Sequence, residues 1–482
     1  MGPVDGTIHP QTTNSQGFPM NIRTEKDSLG ERSIPADAYY GVQTHRAIEN
    51  FPISGLLPKP SYIDATVQIK RAAALVNKSL GLLDAKKADA IVAAADEILG
   101  GKLREWFVVD VYQAGAGTSH NMNVNEVIAN RAIEILGGKK GDYSVVNPND
   151  HVNMAQSTND VCPTAIRIAG VMLSEKLLPS LDLLAGAFEQ KGKEFDHIVK
   201  SGRTHLQDAV PVRLGQEFGA YGANVRKHRE RIQAASDANK ELGIGGTAAG
   251  TGLNAHPKYR KLMIDELSRA LGIKLRMADD YFESMQSLRP FTELSAAARN
   301  LSQDLVRIAN DLRLLSSGPK TGLAEIALPA VQPGSSIMPG KVNPVMAEML
   351  NMVCFQVIGC DTTVLLAAQA GQLELNVMMP VVAFNLMHEL EILKGAVDVF
   401  VKFCVTGITA NEERCREYAE GSMSIVTVLN PHIGYAKAAE IAKEYLRSGK
   451  SIKQLVLEKG LIPKEKLDEV FNLRGMTEPG IH

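Results

Sequence analysis

The stretch GSSIMPGKVNP, residues 334–344, carries two hydroxyl groups, a lysine and an asparagine amide in a segment bounded by glycine and proline. Asn343 is a favourable N-cap residue and Pro344 suits the first helical position, so the stretch predicts a helix directly after it. A lysine at the positive end of a helix dipole favours a bound carboxylate. Lys341 and the neighbouring serines therefore predict an anion site with hydroxyl groups placed for proton transfer. For each residue taken singly, the alternative is a capped helix behind an ordinary loop.

The composition limits the classes of protein to which this chain can belong. Of its 482 residues, 45% are hydrophobic and 22% are charged, as in ordinary globular proteins, and the formal net charge is -2. This balance argues against a nucleic-acid-binding protein and against a protein bound to a membrane surface. We see no apolar run of transmembrane length and no spacing typical of a metal site.

The cysteines indicate the compartment. They are dispersed within apolar segments and form no C-x-x-C pair, which predicts reduced thiols and a cytoplasmic protein. The five positions are Cys162, Cys354, Cys360, Cys404 and Cys415.

Most of the chain has the apolar periodicity of helices, and strand signals are sparse. The segments with this pattern are about 64–99, 160–200, 209–241, 289–316, 344–371 and 380–405. Several are longer than ordinary globular helices, and long helices with apolar stripes pack into bundles. The sequence therefore predicts a mainly α protein built around a bundle of long helices.

A change of composition near residues 407–413 divides the chain further. We predict an N-terminal mixed, mostly helical domain over 21–158, a central long-helix bundle over 159–410, and a small helical C-terminal domain over 411–482. Residues 1–20 are rich in Gly, Pro, Thr and Asn, and we interpret them as a disordered leader or a remnant of cloning.

Three more polar clusters precede predicted helices. Helix capping alone would select such residues, but together with the serine stretch they suit a small dianion held between several helix ends. The clusters are GAGTS at 115–119, STND at 157–160 and GRTHLQD at 202–208. Within the third, His205 could be oriented by a carboxylate such as Glu348, although a lone histidine is more often structural. A glycine-rich run at 243–252 lacks the pattern of a phosphate-binding loop, and we interpret it as a flexible or tightly turned connection.

The serine stretch and the three clusters, in this order, resemble the signature segments of the fumarase/aspartase superfamily. The resemblance covers about Arg23 to His482. It implies the three-domain fold of that superfamily, a homotetramer whose long helices form one multi-helix core, and active sites that three subunits share. The expected substrate is a small dicarboxylate, and neither a cofactor nor a metal is expected.

Finer cues resemble the ammonia-lyase branch of the superfamily. They are PADAYYGV at 35–42, AGTS at 116–119, QDAVP at 207–211, NPVM at 343–346 and GQL at 371–373. They imply elimination of ammonia from L-aspartate to give fumarate. The alternatives are hydration of fumarate to L-malate and, from another class, a non-catalytic helical assembly protein derived from a lyase. Met379 departs from the acidic residue expected at that position.

The resemblance also implies a role for each residue. Ser335 is matched to the general base that removes the C3 proton. The hydroxyl groups matched to the β-carboxylate pocket are those of Thr118, Ser157, Thr158 and Ser336. The residues matched to the α-carboxylate are Thr204, Lys341 and Asn343. Asn159 and His205 would face the leaving ammonia, with Glu348 orienting the histidine. Met338 is expected to pack against the substrate or Lys341.

Overall fold

The structure is a computed structural model that describes residues 21–481, so the predicted leader at 1–20 lies outside the described residues. Helices account for 62% of it, which confirms the mainly α class. The longest helices are α5 (Thr158–Glu194), α6 (Leu214–Ala238), α9 (Arg289–Leu315), α10 (Val345–Gln369) and α11 (Met379–Phe403). They lie where the apolar periodicity predicted them.

The remaining helices are shorter. In the N-terminal part they are α1 (Val42–Asn50), α2 (Pro60–Ser79), α3 (Ala85–Leu99) and α4 (Thr118–Ile135), followed later by α7 (Tyr259–Leu271) and α8 (Tyr281–Gln286). Towards the C-terminus they are α12 (Glu412–Gly421), α13 (Asn430–Ile433), α14 (Tyr435–Ser448), α15 (Ile452–Glu458) and α16 (Leu467–Val470). The predicted segment 64–99 is therefore two helices. Asp84 caps the second one by accepting a hydrogen bond from the backbone N–H of Lys87.

Within residues 21–481 the strands form four two-stranded sheets. The antiparallel pairs are β1 (Ile22–Asp27) with β2 (Gly30–Pro35), β3 (Val199–Thr204) with β4 (Gln207–Arg213), and β7 (Ile326–Ala327) with β8 (Thr409–Ala410); β5 (Glu241–Leu242) and β6 (Arg276–Met277) are parallel. The expectation that the cluster at 202–208 leads directly into a helix was wrong, because β3 and β4 make a hairpin there and α6 begins only at Leu214. The tip of the hairpin holds His205 and Leu206 at positive φ, which matches the twist of a hairpin turn.

The described chain forms two compact units. The first contains the residues up to Lys176, Ile232–Arg299 and Gln356–Glu391, and the second contains Leu177–Arg231, Asn300–Phe355 and the residues from Ile392 onward. The unit boundaries fall inside α5, α6, α9, α10 and α11. The predicted division at 158 and 410 stays a prediction.

Each unit has its own apolar packing. In the first, helices α2, α3 and α4 bury a core rich in alanine, valine and isoleucine. In the second, the helices after residue 422 bury a separate aliphatic cluster that includes Leu429, Ile441 and Leu455. The same unit buries an aromatic cluster in which the Phe188 ring lies 6.2 Å from Phe218 and 5.6 Å from Tyr221.

Helix α10 is the one helix within residues 21–481 that is long and apolar enough to cross a membrane, by length and composition only. Its most apolar 18-residue window has a mean hydropathy of 1.5. The expectation of no such run was therefore wrong. Core helices of soluble proteins pass the same test, so this helix is weak evidence for a membrane span.

The aromatic cluster gives a test of the packing. Phe188 is fully buried, so Phe188→Ala should lower the free energy of unfolding by about 3–5 kcal/mol through lost burial and a residual cavity. Gln190 is exposed on the same helix, and Gln190→Ala should change the free energy of unfolding by less than about 0.5 kcal/mol. Urea denaturation at one protein concentration compares the two, and equal effects would contradict the packing described.

Candidate active site

Thr118 is the first residue of α4, directly after a tight turn. Ala116 and Gly117 both have positive φ, and a Cβ on Gly117 would lie 2.8 Å from the Cys162 sulfur, so glycine is required there. The backbone N–H of Ala116 donates to the carbonyl oxygen of Val377 at 2.7 Å. The turn therefore presents the exposed Thr118 hydroxyl at a helix N-terminus.

Ser157 directly precedes α5, which begins with Thr158 and Asn159, and the buried carboxylate of Asp160 fixes this segment. One Asp160 oxygen accepts from the backbone N–H of Ser157 at 2.9 Å. The other accepts from the backbone N–H groups of Gly245 and Thr247, each at 2.9 Å. Burial raises the pKa of Asp160 to about 6, so the carboxylate is still charged at neutral pH.

The glycine-rich run at 243–252 is therefore a scaffold for this cluster. Besides its bonds to Asp160, the carbonyl oxygen of Ala248 accepts from the Asn159 side-chain amide at 2.8 Å. Arg260 fastens the run from the other side, with bonds to the carbonyl oxygens of Gly245 at 3.0 Å and Gly250 at 2.8 Å. Of the two interpretations made from sequence, the tight turn is the one observed.

A buried lysine lies next to the same segment. The Lys70 ammonium donates to the side-chain oxygens of Asn153 at 2.8 Å and Gln156 at 2.9 Å. The Asn121 amide bridges Asn153, at 3.3 Å, and the Thr158 hydroxyl, at 3.1 Å. Burial lowers the pKa of Lys70 to about 7. A chain of hydrogen bonds thus connects a buried amine with a predicted substrate-binding hydroxyl.

His120 follows Thr118 on α4 but faces the interior. Its ring stacks on Tyr62 with centroids 4.2 Å apart, and Nε2 lies 3.0 Å from the Thr66 hydroxyl. Burial and the nearby Lys70 charge lower the pKa of His120 to about 3, so its imidazole is neutral. This histidine supports the packing behind the turn.

Thr204 and His205 lie at the exposed tip of the β3–β4 hairpin, in the second unit. A β-bulge occurs between Ser201 and Gly202. A Cβ on Gly202 would lie 2.5 Å from the carbonyl oxygen of Val210, so the bulge requires glycine.

The serine stretch is an exposed loop that folds back on itself. The backbone N–H of Gly334 donates to the carbonyl oxygen of Lys341 at 2.9 Å. The Ser335 hydroxyl oxygen accepts from the backbone N–H of Met338 at 3.0 Å and of Ile337 at 3.3 Å. Two donors on a serine oxygen favour negative charge on it, as a general base requires.

Helix α10 begins at Val345, and the predicted N-cap role of Asn343 was wrong. Its side-chain amide donates instead to the carbonyl oxygen of Gly334 at 2.6 Å, which closes the loop. Lys341 is exposed next to that helix start. Glu348 lies in the first turn of α10 and is partly buried.

The predicted residues fall into two sets. The first unit holds Thr118, Ser157, Thr158 and Asn159; the second holds Thr204, His205, Ser335, Ser336, Met338, Lys341, Asn343 and Glu348. Among the described residues, no hydrogen bond or ion pair joins His205 to Glu348. Their pairing stays a prediction.

Between residues 21 and 481, no group of three or more His, Cys, Asp or Glu side chains is placed to hold a metal ion. The donors in the clusters are instead hydroxyl groups, amides and backbone N–H groups. That chemistry suits carboxylate oxygens better than a cation.

Comparisons with known proteins agree with this arrangement. The Lyase family matches residues 30–359, and the family described as Fumarase C C-terminus matches residues 425–478. The chain belongs to the fumarase/aspartase superfamily. The mainly α fold of that superfamily, expected from the sequence, is thereby confirmed.

Similar proteins carry two activities in their names. The chain is 52% identical to the aspartate ammonia-lyase of Bacillus subtilis (strain 168), over 95% of this chain and 97% of that one. It is 50% identical to the class II fumarate hydratase of Halobacterium salinarum, over 96% and 98% of the two chains. A crystal structure named fumarate lyase:delta crystallin, from Brucella melitensis and bound to cobalt, has a TM-score of 0.92 and 49% identity and covers 95% of this chain and 100% of that one.

Two supporting residues were missed in the sequence. Asp160 was noted only as part of a capping cluster, and its partners lie about 85 residues later in the chain. Lys70 looks like an ordinary residue of an amphipathic helix. A buried charge can be recognised in a sequence only when its partners are close to it in the chain, and the partners of Asp160 and Lys70 are distant.

Asp160→Asn tests the scaffold. The amide that replaces one oxygen would face backbone donors, so stability should fall by about 1–3 kcal/mol and KM should rise. The matched control is Asp265→Asn, which alters an exposed pair with Lys261 on α7. Urea denaturation and steady-state kinetics measure both variants. If Asp160→Asn behaves like Asp265→Asn, Asp160 does not organise the cluster.

Proposed function

We propose that this protein is an aspartate ammonia-lyase, which eliminates ammonia from L-aspartate to give fumarate. The observation that carries the proposal is the Ser335 hydroxyl oxygen, which accepts two backbone N–H groups in the exposed loop that also contains Lys341. Strong similarity to aspartate ammonia-lyases over nearly the whole chain supports the same assignment.

In the proposed reaction, Ser335 acts as an alkoxide and takes the C3 proton of aspartate. The electrons of the C–H bond pass into the adjacent β-carboxylate, which becomes an aci-carboxylate with two negative charges. Stabilising charge where it develops is usually the largest catalytic contribution. Collapse of this intermediate forms the C2–C3 double bond and breaks the C2–N bond, and ammonia leaves.

Two groups of donors hold the carboxylates in this proposal. Hydroxyl groups at the starts of α4 and α5, with Ser336, receive the β-carboxylate and its developing charge. Thr204, Lys341 and Asn343 bind the α-carboxylate, with Lys341 supplying the compensating charge. In the single chain Asn343 already donates to Gly334, so substrate would compete for that amide.

The leaving group distinguishes the two activities of the superfamily. Asn159 and His205 face the ammonia in our proposal, and Glu348 orients the histidine. Fumarate hydratase remains the second candidate, because a fumarate hydratase is 50% identical over nearly the full chain. Met379 is fully buried at the first residue of α11, so an effect of this residue on the leaving group would be indirect, through packing.

The serine loop has the properties of a segment that closes over a bound substrate. Ile337 is 83% exposed, Met338 47% and Val342 50%. Closure would bury these apolar side chains, remove water and strengthen the polar contacts.

We propose that the active enzyme is a homotetramer in which three subunits contribute to each active site. Helix α10 supports this, because one of its faces is exposed and the residues on that face carry no charge. Asp361 belongs to the same helix but is buried. The exposed residues are Met352, Phe355, Gln356, Gly359, Thr362, Leu365, Leu366 and Gln369. Their spacing forms a single stripe, which a second copy of the chain would cover. All five cysteines are buried and free, as suits the cytoplasm.

The function is tested by following fumarate absorbance with purified protein and either L-aspartate or L-malate. We expect fumarate from L-aspartate, and Ser335→Ala should lower kcat by at least about a hundredfold because the proton acceptor is lost. Ser317, a partly buried serine that follows α9 in the same unit, provides the control, and Ser317→Ala should retain activity. Fumarate from L-malate alone would contradict the assignment, and normal rates in Ser335→Ala would remove Ser335 as the base.

The assembly is tested by Phe355→Glu. A charge in the apolar stripe should dissociate the tetramer, because the carboxylate would be desolvated in the interface. Leu446→Glu alters a side chain that is 70% exposed on α14 and should leave the assembly intact. Size-exclusion chromatography with light scattering measures both. A wild-type monomer, or a Phe355→Glu tetramer, would refute the interface.

A further inference from the structure

Glu325 is a fully buried carboxylate that two cations of one strand contact. The Arg203 guanidinium lies 3.0 Å from each of its oxygens, and the Lys200 ammonium lies 3.2 Å from one of them. Lys200 also reaches Glu217 on α6 at 3.0 Å. Lys200 is 1% exposed, so this is an interior ion network whose members depend on one another.

Lys200 and Arg203 lie three residues apart on β3, yet both contact the Glu325 carboxylate. Side chains alternate between the faces of a strand, so residues three apart ordinarily point in opposite directions. The register shifts between the two cations: Ser201 pairs with Pro211 and Gly202 with Ala209, so the extra residue is Val210 on β4, and the strand pair is distorted there.

The backbone of Glu325 is fixed as firmly as its side chain. Its N–H donates to the carbonyl oxygen of Leu315 at 2.9 Å, and its carbonyl oxygen accepts from the N–H of Asn411 at 2.9 Å. Glu325 is thus a rigid point in the segment that leads, ten residues later, to Ser335. Arg203 directly precedes Thr204 and His205 in the hairpin.

We propose that Glu325 is a positioning residue: its ion pairs with Arg203 and Lys200 fix the hairpin that carries Thr204 and His205 relative to the segment that carries Ser335. The proposal rests on the proposed function for the roles of those residues. Through these ion pairs one carboxylate holds two elements of the same chain, each of which carries predicted site residues. A displacement of reacting groups by about 1 Å can lower the reaction rate about a hundredfold.

Glu325→Gln tests the proposal, because it preserves volume and removes the charge. We expect kcat/KM to fall about 10–100-fold, mostly through kcat. Hydrogen exchange measured by mass spectrometry should become faster in both 199–213 and 326–343. Glu325→Asp keeps the charge and should regain part of kcat although it leaves a larger void. If Glu325→Gln fails to fold, Arg203→Lys tests the same contact, with faster exchange in 199–213 and a lower kcat.

Asp196→Asn is the matched control. It removes the ion pairs with Arg213, at the opposite end of the same hairpin, and with Arg474, each 2.8 Å long. We expect kcat/KM within about twofold of wild type, since nothing at that end touches the predicted site residues. Wild-type kinetics in Glu325→Gln, equal losses of activity in Glu325→Gln and Asp196→Asn, or unchanged exchange in both segments would each overturn the proposal.

Failure of the proposed function would look different. Kinetics are measured on whichever of L-aspartate and L-malate the wild-type protein converts to fumarate, so a wrong substrate leaves the comparison of variants intact. Hydrogen exchange needs no substrate. A protein that lacks activity on both compounds but shows faster exchange in both segments would refute the function and retain the coupling.

Discussion

The positive ends of helices are the feature on which the candidate site depends. Thr118 begins α4, Thr158 begins α5, and the loop that ends at Asn343 leads into α10. The first backbone N–H groups of a helix have no partner within it, and the helix dipole adds positive charge at the same end. A dicarboxylate is the kind of molecule that several such ends can hold. The long helices also fix where their ends lie, because packing along their apolar stripes leaves them little freedom.

Structural support for these helix ends comes from buried charges. Asp160 organises the start of α5 through three backbone N–H groups, and Glu325 fixes the hairpin through two cations. Each of these carboxylates is buried, where an unpaired charge would be costly, so their partners are constrained to one geometry. The exposed serine loop has the opposite character, since it is held mainly by its own backbone. A rigid frame with one adaptable loop suits an enzyme that must admit substrate and then exclude water.

The sequence predicted most of the fold because long apolar stripes are a local signal. It located the five long helices and the polar clusters at helix starts. It failed at 202–208, where hydroxyl and amide side chains were taken as helix caps although the chain makes a hairpin. It failed again at Asn343, whose amide closes the serine loop instead of capping α10. The roles of Lys70, Asp160 and Glu325 depend on partners far away in the chain, and no periodicity reveals such contacts.

In the function we propose, each active site combines polar residues from three copies of the chain. Subunit mixing tests it most directly. Thr158→Ala alters the first set and Ser335→Ala the second, and each homotetramer should be strongly impaired. Dissociation and reassembly of the two variants together should yield activity well above the mean of the parents, because some hybrid sites then contain both native residues. Activity that stays at the mean of the parents would contradict an active site shared between subunits.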